Sequence, residues 1–288
     1  MKHLTYLISI VLFYSCTTEI EVEIPDAEPL KVVEGNIENG EVAKVLLTRS
    51  TDFFDPLDTN TLLNIIVTDA TVKVKEYQNG NLIAEENLSL EVDFDFFPPL
   101  VYKGSSIIGV VGNRYDLEII SEGDTITGST RILPPVALDS LWFELEPGLD
   151  SLGPIKFILF DPDTLGNRYR FFAKRLNRDS AFIPISGDLR EDAIINGSSF
   201  ESFIYRGFSE IDEADSTGTE VGYFRMGDTI DVKTAQLDYE HFRFWLSVAN
   251  NGGDSPFSSP SNLIENVKGG LGVWGSYGSS IQRVIAQP

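Results

Sequence analysis

The feature that most constrains this chain is a series of short segments in which apolar and polar residues alternate, separated by dipeptides suited only to turning. Between Leu30 and Leu133 the segments 30–37, 43–50, 70–77, 115–120 and 124–130 follow this pattern. A period of two sends successive side chains to opposite faces of a sheet, so each segment predicts a half-buried strand. The breaks carry Asn39-Gly40, Asn79-Gly80 and Glu122-Gly123, which are turn chemistry. Strands at about ten-residue spacing with such turns predict an immunoglobulin-like β-sandwich over 30–133. The stretch 53–65 lacks the pattern and reads as a long inserted loop.

Pro134-Pro135 marks the boundary of that domain, because proline cannot donate to a sheet ladder and restricts the residue before it. A second β-rich domain is expected over 136–288. Its segments 141–145, 155–160 and 167–175 again read as strands, the last with Tyr169 and Phe171 on one face and charges on the other. One segment differs. Leu237, Phe242, Trp245, Leu246 and Ala249 recur at spacings of three and four, which predicts a helix near 237–249 packed on the β framework. Asp238 is placed to cap its start, and Asn250-Asn251-Gly252 to stop it. A strand over 242–248 is the competing reading. The fold class is therefore mainly β with one packed helix.

The N-terminus determines placement rather than fold. Met1-Lys2-His3, an apolar run too short to span a bilayer, and Ser15 before the chain's one cysteine describe a lipoprotein signal over 1–15. The Cys16 thiol would take a diacylglyceryl group and become the mature N-terminus, although Phe13 and Tyr14 are bulkier than that signal usually carries. Residues 16–29, with Glu19, Glu21 and Glu23 between Ile20, Val22 and Ile24, then form a lipidated tether. Later in the chain no apolar run is long enough for a membrane helix, so the lipid is the expected anchor. With Cys16 lipidated no disulfide can form, and the domains must rely on their cores.

Charge and residue types narrow the chemistry. With 44 Asp and Glu against 22 Lys and Arg, a net charge of −22 argues against nucleic acid as a partner. His241 is the sole histidine after the signal, no Gly-x-Ser-x-Gly turn occurs, and no residue is nominated as catalytic. One histidine cannot supply a structural zinc site. The loop Asp161-Pro-Asp-Thr-Leu-Gly-Asn comes nearest to a calcium loop, but Leu165 stands where an oxygen ligand is wanted, and it reads as a turn between strands. The acidic cluster from Glu210 to Asp215 reads as a solvated loop. Gly270, Gly272 and Gly275 match G-x-G-x-x-G, but too little chain follows for a helix and an acidic strand, so they read as sites of close backbone approach. No metal and no cofactor are expected.

Several stretches carry a resemblance: VVEGNI at 32–37, GDTIDV at 227–232, DAIING at 192–197, and above all GGDSPFSSPSNLIENVKGGLGVWG at 252–275. With these the chain resembles the Bacteroidota outer-membrane lipoproteins grouped as domain of unknown function 4249. Asn36 departs from that pattern, in which an aromatic often occupies the position. Members are commonly encoded beside TonB-dependent receptors. The resemblance thus implies a lipid-anchored accessory protein of the outer membrane, facing the cell surface or the periplasm, and supplies no catalytic positions.

The expected function is noncatalytic: ligand binding or receptor assistance in uptake, with a structural surface adhesin or a hydrolase as rivals. Exposed aromatics would be the partner contacts. The candidates are Phe53, Phe54, Phe94, Phe96, Phe97 and Tyr102, with core packing as the alternative for each. Phe96-Phe97 is favoured because Pro98-Pro99 limits its entry to a sheet.

Overall fold

The computed structural model describes residues 29–51, 64–94, 96, 98–207, 222–251 and 263–287. The signal 1–15, Cys16, most of the 16–29 tether, Phe53, Phe54, Phe97 and the 210–215 cluster lie outside them.

The protein is mainly β, built on one eight-stranded sheet. Its order is β13 (Ile183–Glu191), β12 (Arg168–Arg175), β16 (Thr229–Gln236), β17 (Leu271–Ile285), β1 (Lys31–Glu38), β2 (Val42–Arg49), β6 (Leu100–Ile108) and β5 (Ser89–Val92). A four-stranded sheet follows the order β4 (Asn81–Asn87), β3 (Thr71–Gln78), β7 (Arg114–Ser121) and β8 (Asp124–Arg131). A three-stranded sheet is made of β14 (Ser199–Ile204), β11 (Ile155–Phe160) and β9 (Ser140–Phe143). The pair β10 (Leu152–Gly153) and β15 (Phe224–Arg225) completes the strands. Helix α1 runs from Tyr239 to Asn251.

Local chemistry explains the hairpins. Asn79 and Gly80 (φ 50° and 84°) join β3 to β4, and Glu122 and Gly123 (φ 52° and 91°) join β7 to β8. Positive φ at both central residues gives turns whose twist matches the flanking strands. Glu122 adopts this conformation without glycine's freedom, and its carboxylate is held by Arg49 through two hydrogen bonds of 2.7 and 2.9 Å.

Both small sheets pack on the same face of the large one. Val33, Ile37, Val45 and Leu47 from β1 and β2 meet Val72, Leu117, Ile119 and Ile126 in a first core. Tyr169, Phe171, Ile230 and Val232 meet Phe143, Phe157 and Leu159 in a second. The alternation visible in the sequence is this division of side chains between a buried face and its reverse.

The two strand-rich regions do not have separate sheets. Strand β17 pairs in parallel with β1 over its first half, Val32↔Leu271 to Glu38↔Tyr277. Its second half pairs antiparallel with β16, Gln236↔Gly278 to Thr229↔Ile285. The boundary at Pro134-Pro135 separates the two cores, but fifteen residues from the C-terminal end join both halves in one sheet. The side chain of Trp274, fully buried, reaches from β17 into the first core and donates its indole N–H to the Tyr115 carbonyl at 3.0 Å.

Helix α1 lies on the reverse face. Asp238 caps it as its sequence position predicts: Oδ1 accepts from the His241 N–H at 2.9 Å, and Oδ2 accepts from the Thr130 hydroxyl. Its buried face differs from the expected one. His241, Phe242, Phe244 and Ser247 are buried, whereas Leu246 and Ala249 are exposed. The helix sits beside a strand, and Gly275 lets a polar ring take the position nearest the sheet. On the charged face of β12 Arg170 is only 7% exposed, and at the end of the strand Arg175 is 6% exposed. Arg170 lies under α1, and Arg175 is closed off by Asp179, whose carboxylate bonds its guanidinium at 2.7 Å.

Candidate functional site

On the reverse face, where α1 ends its cover, the large sheet forms the floor of a groove of about 570 Å³. Alternation fixes which residues line it. Glu34, Asn36 and Glu38 project from β1, Arg170 and Phe172 from β12, Lys233 from β16, and Tyr277 from β17. The register brings them together, with Glu38 opposite Tyr277 and Phe172 opposite Lys233. Trp245 of α1 forms one wall, Phe182 ahead of β13 another, and Phe96 ahead of β6 a third.

The charges are held by one another. Arg170 donates from Nε to Asp188 at 2.6 Å and from Nη1 to the Tyr277 hydroxyl at 3.2 Å, while the Trp245 ring covers its guanidinium at 3.7 Å. Burial pulls the Arg170 pKa down, but Tyr277 and Asp188 outweigh it and the net shift is upward. Lys233 pairs with Glu38 at 2.9 Å and lies 4.7 Å from the Phe172 ring and 4.8 Å from that of Phe182. Lys44 bonds Asp93 at 3.0 Å and sits 5.9 Å over the Phe96 ring, which ties that wall to β2.

Three polar groups are left open. Glu34 and Asn36 have no hydrogen-bond or ion-pair partner among the described residues, and neither does Nη2 of Arg170. Glu34 is exposed at the groove. The protein packed around it pushes its pKa up by desolvation, with Arg170 acting in the opposite direction.

His241 supports the site rather than lining it. Its Nε2 accepts the Trp245 indole N–H at 2.8 Å, so its Nδ1 carries the proton and donates to the Ser276 carbonyl at 3.1 Å. Burial holds its pKa down at about 4, reinforced by Arg170 and opposed by Asp238. Both ring nitrogens are occupied, and the ring fixes Trp245 over Arg170.

Of the aromatics singled out from sequence, Phe96 lines the groove and Phe94 is 75% exposed nearby. Tyr102 is corrected to a core residue. It is 3% exposed, its hydroxyl donates to the Val67 carbonyl at 3.1 Å and accepts from the Ala70 N–H at 3.0 Å, and its ring packs in the first core. Phe53, Phe54, Phe97 and the lipidation candidate Cys16 lie outside the described residues. The G-x-G-x-x-G glycines fall in and just before β17. Gly275 is a site of close approach, where a Cβ would stand 2.3 Å from atoms of the His241 ring. The loop 161–167 is a turn between β11 and β12, tied to the DAIING segment by the Gly166 and Asn167 N–H groups, which both donate to Asp192 at 2.8 Å. Among the described residues no group of three His, Cys, Asp or Glu is arranged to hold a metal ion.

Sequence reading missed Glu34, Asn36, Arg170, Phe172, Lys233, Trp245 and Tyr277 as one site. Their only shared signal is that 32–37 and the Trp274–Gly275 end of the terminal motif both belong to segments already singled out.

No helix among the described residues is long and apolar enough to cross a membrane. A search of curated proteins returns no match. The family model described as Domain of unknown function (DUF4249) matches residues 17–283, nearly the whole chain, and with the VVEGNI strand and the terminal glycine-rich strand side by side at the centre of the fold, this protein belongs to that family.

Proposed function

We propose that the protein is a noncatalytic, lipid-anchored binding protein of the outer membrane, which holds a ligand in the groove and assists a TonB-dependent receptor in its uptake. One observation carries the binding half of this reading. Arg170, Glu34 and Asn36 present unpartnered polar groups inside an aromatic-lined concavity. A concave surface with aromatic walls and a few open polar groups is the usual form of a ligand site. The membrane half rests on the lipoprotein signal that ends at Cys16 and on the resemblance to lipoproteins encoded beside such receptors.

Two measurements test the membrane half. Growth with an alkyne-tagged palmitate should label the wild-type chain, and Cys16→Ser should abolish the label. Mild-detergent extraction with the anchor intact should copurify an outer-membrane barrel receptor in stoichiometric amount. A labelled protein that copurifies with no receptor would sink the accessory role and favour the adhesin.

A further inference from the structure

We propose that the groove takes an uncharged, hydroxyl-rich ligand: a neutral oligosaccharide. The inference rests on the groove being the binding site, and it follows from which groups there are committed and which are open.

Three of the four groove cations are paired with carboxylates, and the fourth, Lys174, donates to the Ser180 carbonyl at 2.6 Å. Arg170 faces Asp188 at 2.6 Å, Lys233 faces Glu38 at 2.9 Å and Lys44 faces Asp93 at 3.0 Å. An anionic ligand would have to displace these partners while also meeting Glu34 and Glu41 in the same groove. A cationic ligand would meet Arg170 and Lys233 at close quarters. Neither sign of charge is served.

What is open suits hydroxyl groups. Nη2 of Arg170 can only donate, a carboxylate at Glu34 can only accept, and the Asn36 amide does both. A hydroxyl is itself donor and acceptor, so a vicinal pair satisfies such neighbours without transferring charge. Glu34 and Asn36 stand two residues apart on β1 and face the same way, at a separation of about 7 Å along the strand. A sugar unit laid across β1 meets both. The rings of Phe182, Trp245 and Phe96 around the floor offer apolar faces to the C–H faces of a sugar. A purely apolar ligand would leave the three polar groups buried and unsatisfied.

The test uses the full mature chain and five neutral hexasaccharides, namely malto-, cello-, manno-, chito- and laminarihexaose, followed by calorimetry and tryptophan fluorescence. Hexagalacturonate, Ala-Lys-Ala and Ala-Glu-Ala serve as charged probes. At least one neutral hexasaccharide should saturate with a Kd below about 1 mM. Glu34→Ala and Asn36→Ala should each weaken it by about tenfold, the loss of a hydrogen bond. Glu34→Gln, which keeps the hydrogen-bonding capacity and removes the charge, should stay within about threefold. Both Glu34 and Asn36 lack partners, so these variants should retain the wild-type melting temperature.

Failure of all five neutral sugars overturns the proposal, as does a Glu34→Gln variant that loses binding like Glu34→Ala. If a charged probe binds instead and Glu34→Ala weakens it, the groove stands as the site and the saccharide class is wrong. If a sugar binds wild type, Glu34→Ala and Asn36→Ala alike, the groove is not the site and the reading beneath this one falls with it.

Discussion

The His241 imidazole lies against the backbone of Gly275, so close that a Cβ on that glycine would stand 2.3 Å from Cγ, Nδ1 and Cε1 of the ring. This contact lets α1 reach the sheet. From it follow the Nδ1 bond to Ser276, the Nε2 bond from Trp245, and the position of Trp245 over Arg170. The geometry of the groove thus depends on the absence of a side chain at one position of β17.

Gly275→Ala should therefore displace the helix. Real Cβ atoms essentially never approach as closely as 2.3 Å, and the obstacle is an aromatic ring fixed at both nitrogens, so the ring cannot simply swing aside. Overpacking of this kind costs about 1–3 kcal/mol. Urea denaturation should show that loss, with a change in near-ultraviolet dichroism from Trp245. Combining Gly275→Ala with His241→Ala should cost less than the sum of the two single changes, because the second removes the obstacle. Strict additivity would show that the two residues are not in conflict.

The buried imidazole also makes stability depend on pH. His241 titrates at about 4 in the folded protein, against 6.5 for an unperturbed histidine. Between these values the unfolded chain binds a proton that the folded chain refuses, so stability is full above about pH 6.5 and falls as the pH drops toward 4. The shift corresponds to a loss on the order of 3 kcal/mol across that window. Free energies of unfolding measured from pH 7.5 to 4.5 should fall more steeply for wild type than for His241→Gln. Parallel profiles would refute the assignment of a neutral, buried His241.

What could be read from the sequence was local. Period two placed β1, β2, β3, β7, β8, β11 and β12 within a residue or two, the Asn-Gly and Glu-Gly pairs placed two hairpin turns, and Asp238 placed the start of α1. The groove was not legible because several strands line it, each contributing residues that look locally like an ordinary solvated face. Arg170 reads as an exposed charge until its strand is seen beneath α1, and Glu34, which is exposed, gives no local sign of the groove it faces. The parallel pairing of β1 with β17 joins residues some 240 positions apart and leaves no local trace. Phe96 could be found because the prolines after it bar it from a central strand. Tyr102 escapes a local reading because β6 follows those prolines at once and its aromatic looks like part of the same irregular stretch.

Trp245→Phe separates the ring from its N–H. Phenylalanine keeps an aromatic face over Arg170 but leaves Nε2 of the buried His241 without a donor. An orphaned buried acceptor costs about 1–3 kcal/mol. With the indole donor gone, Nε2 becomes easier to protonate, so the His241 pKa should rise above its wild-type value of about 4. Histidine titration followed by NMR would show that upward move, whereas an unchanged pKa would mean that the Trp245–His241 bond does not form in solution.

The seam made by β17 predicts that the N-terminal region cannot stand alone. Residues 30–133 supply strands to both sheets around the first core, yet that core also contains Trp274 and Val267. Without β17, strand β1 loses its parallel partner and exposes a new edge, and the space filled by the Trp274 indole is left empty. In the intact chain Trp274→Ala should cost about 3–5 kcal/mol, the usual loss for a large buried aromatic. It should also lower the melting of both halves in a single transition, because β17 serves both cores. A fragment of 30–133 should give a poorly dispersed amide spectrum and no cooperative melt. Adding a peptide that spans 264–287 should restore dispersion by supplying the missing strand. A fragment that melts cooperatively without the peptide would show that the N-terminal sandwich is an independent domain.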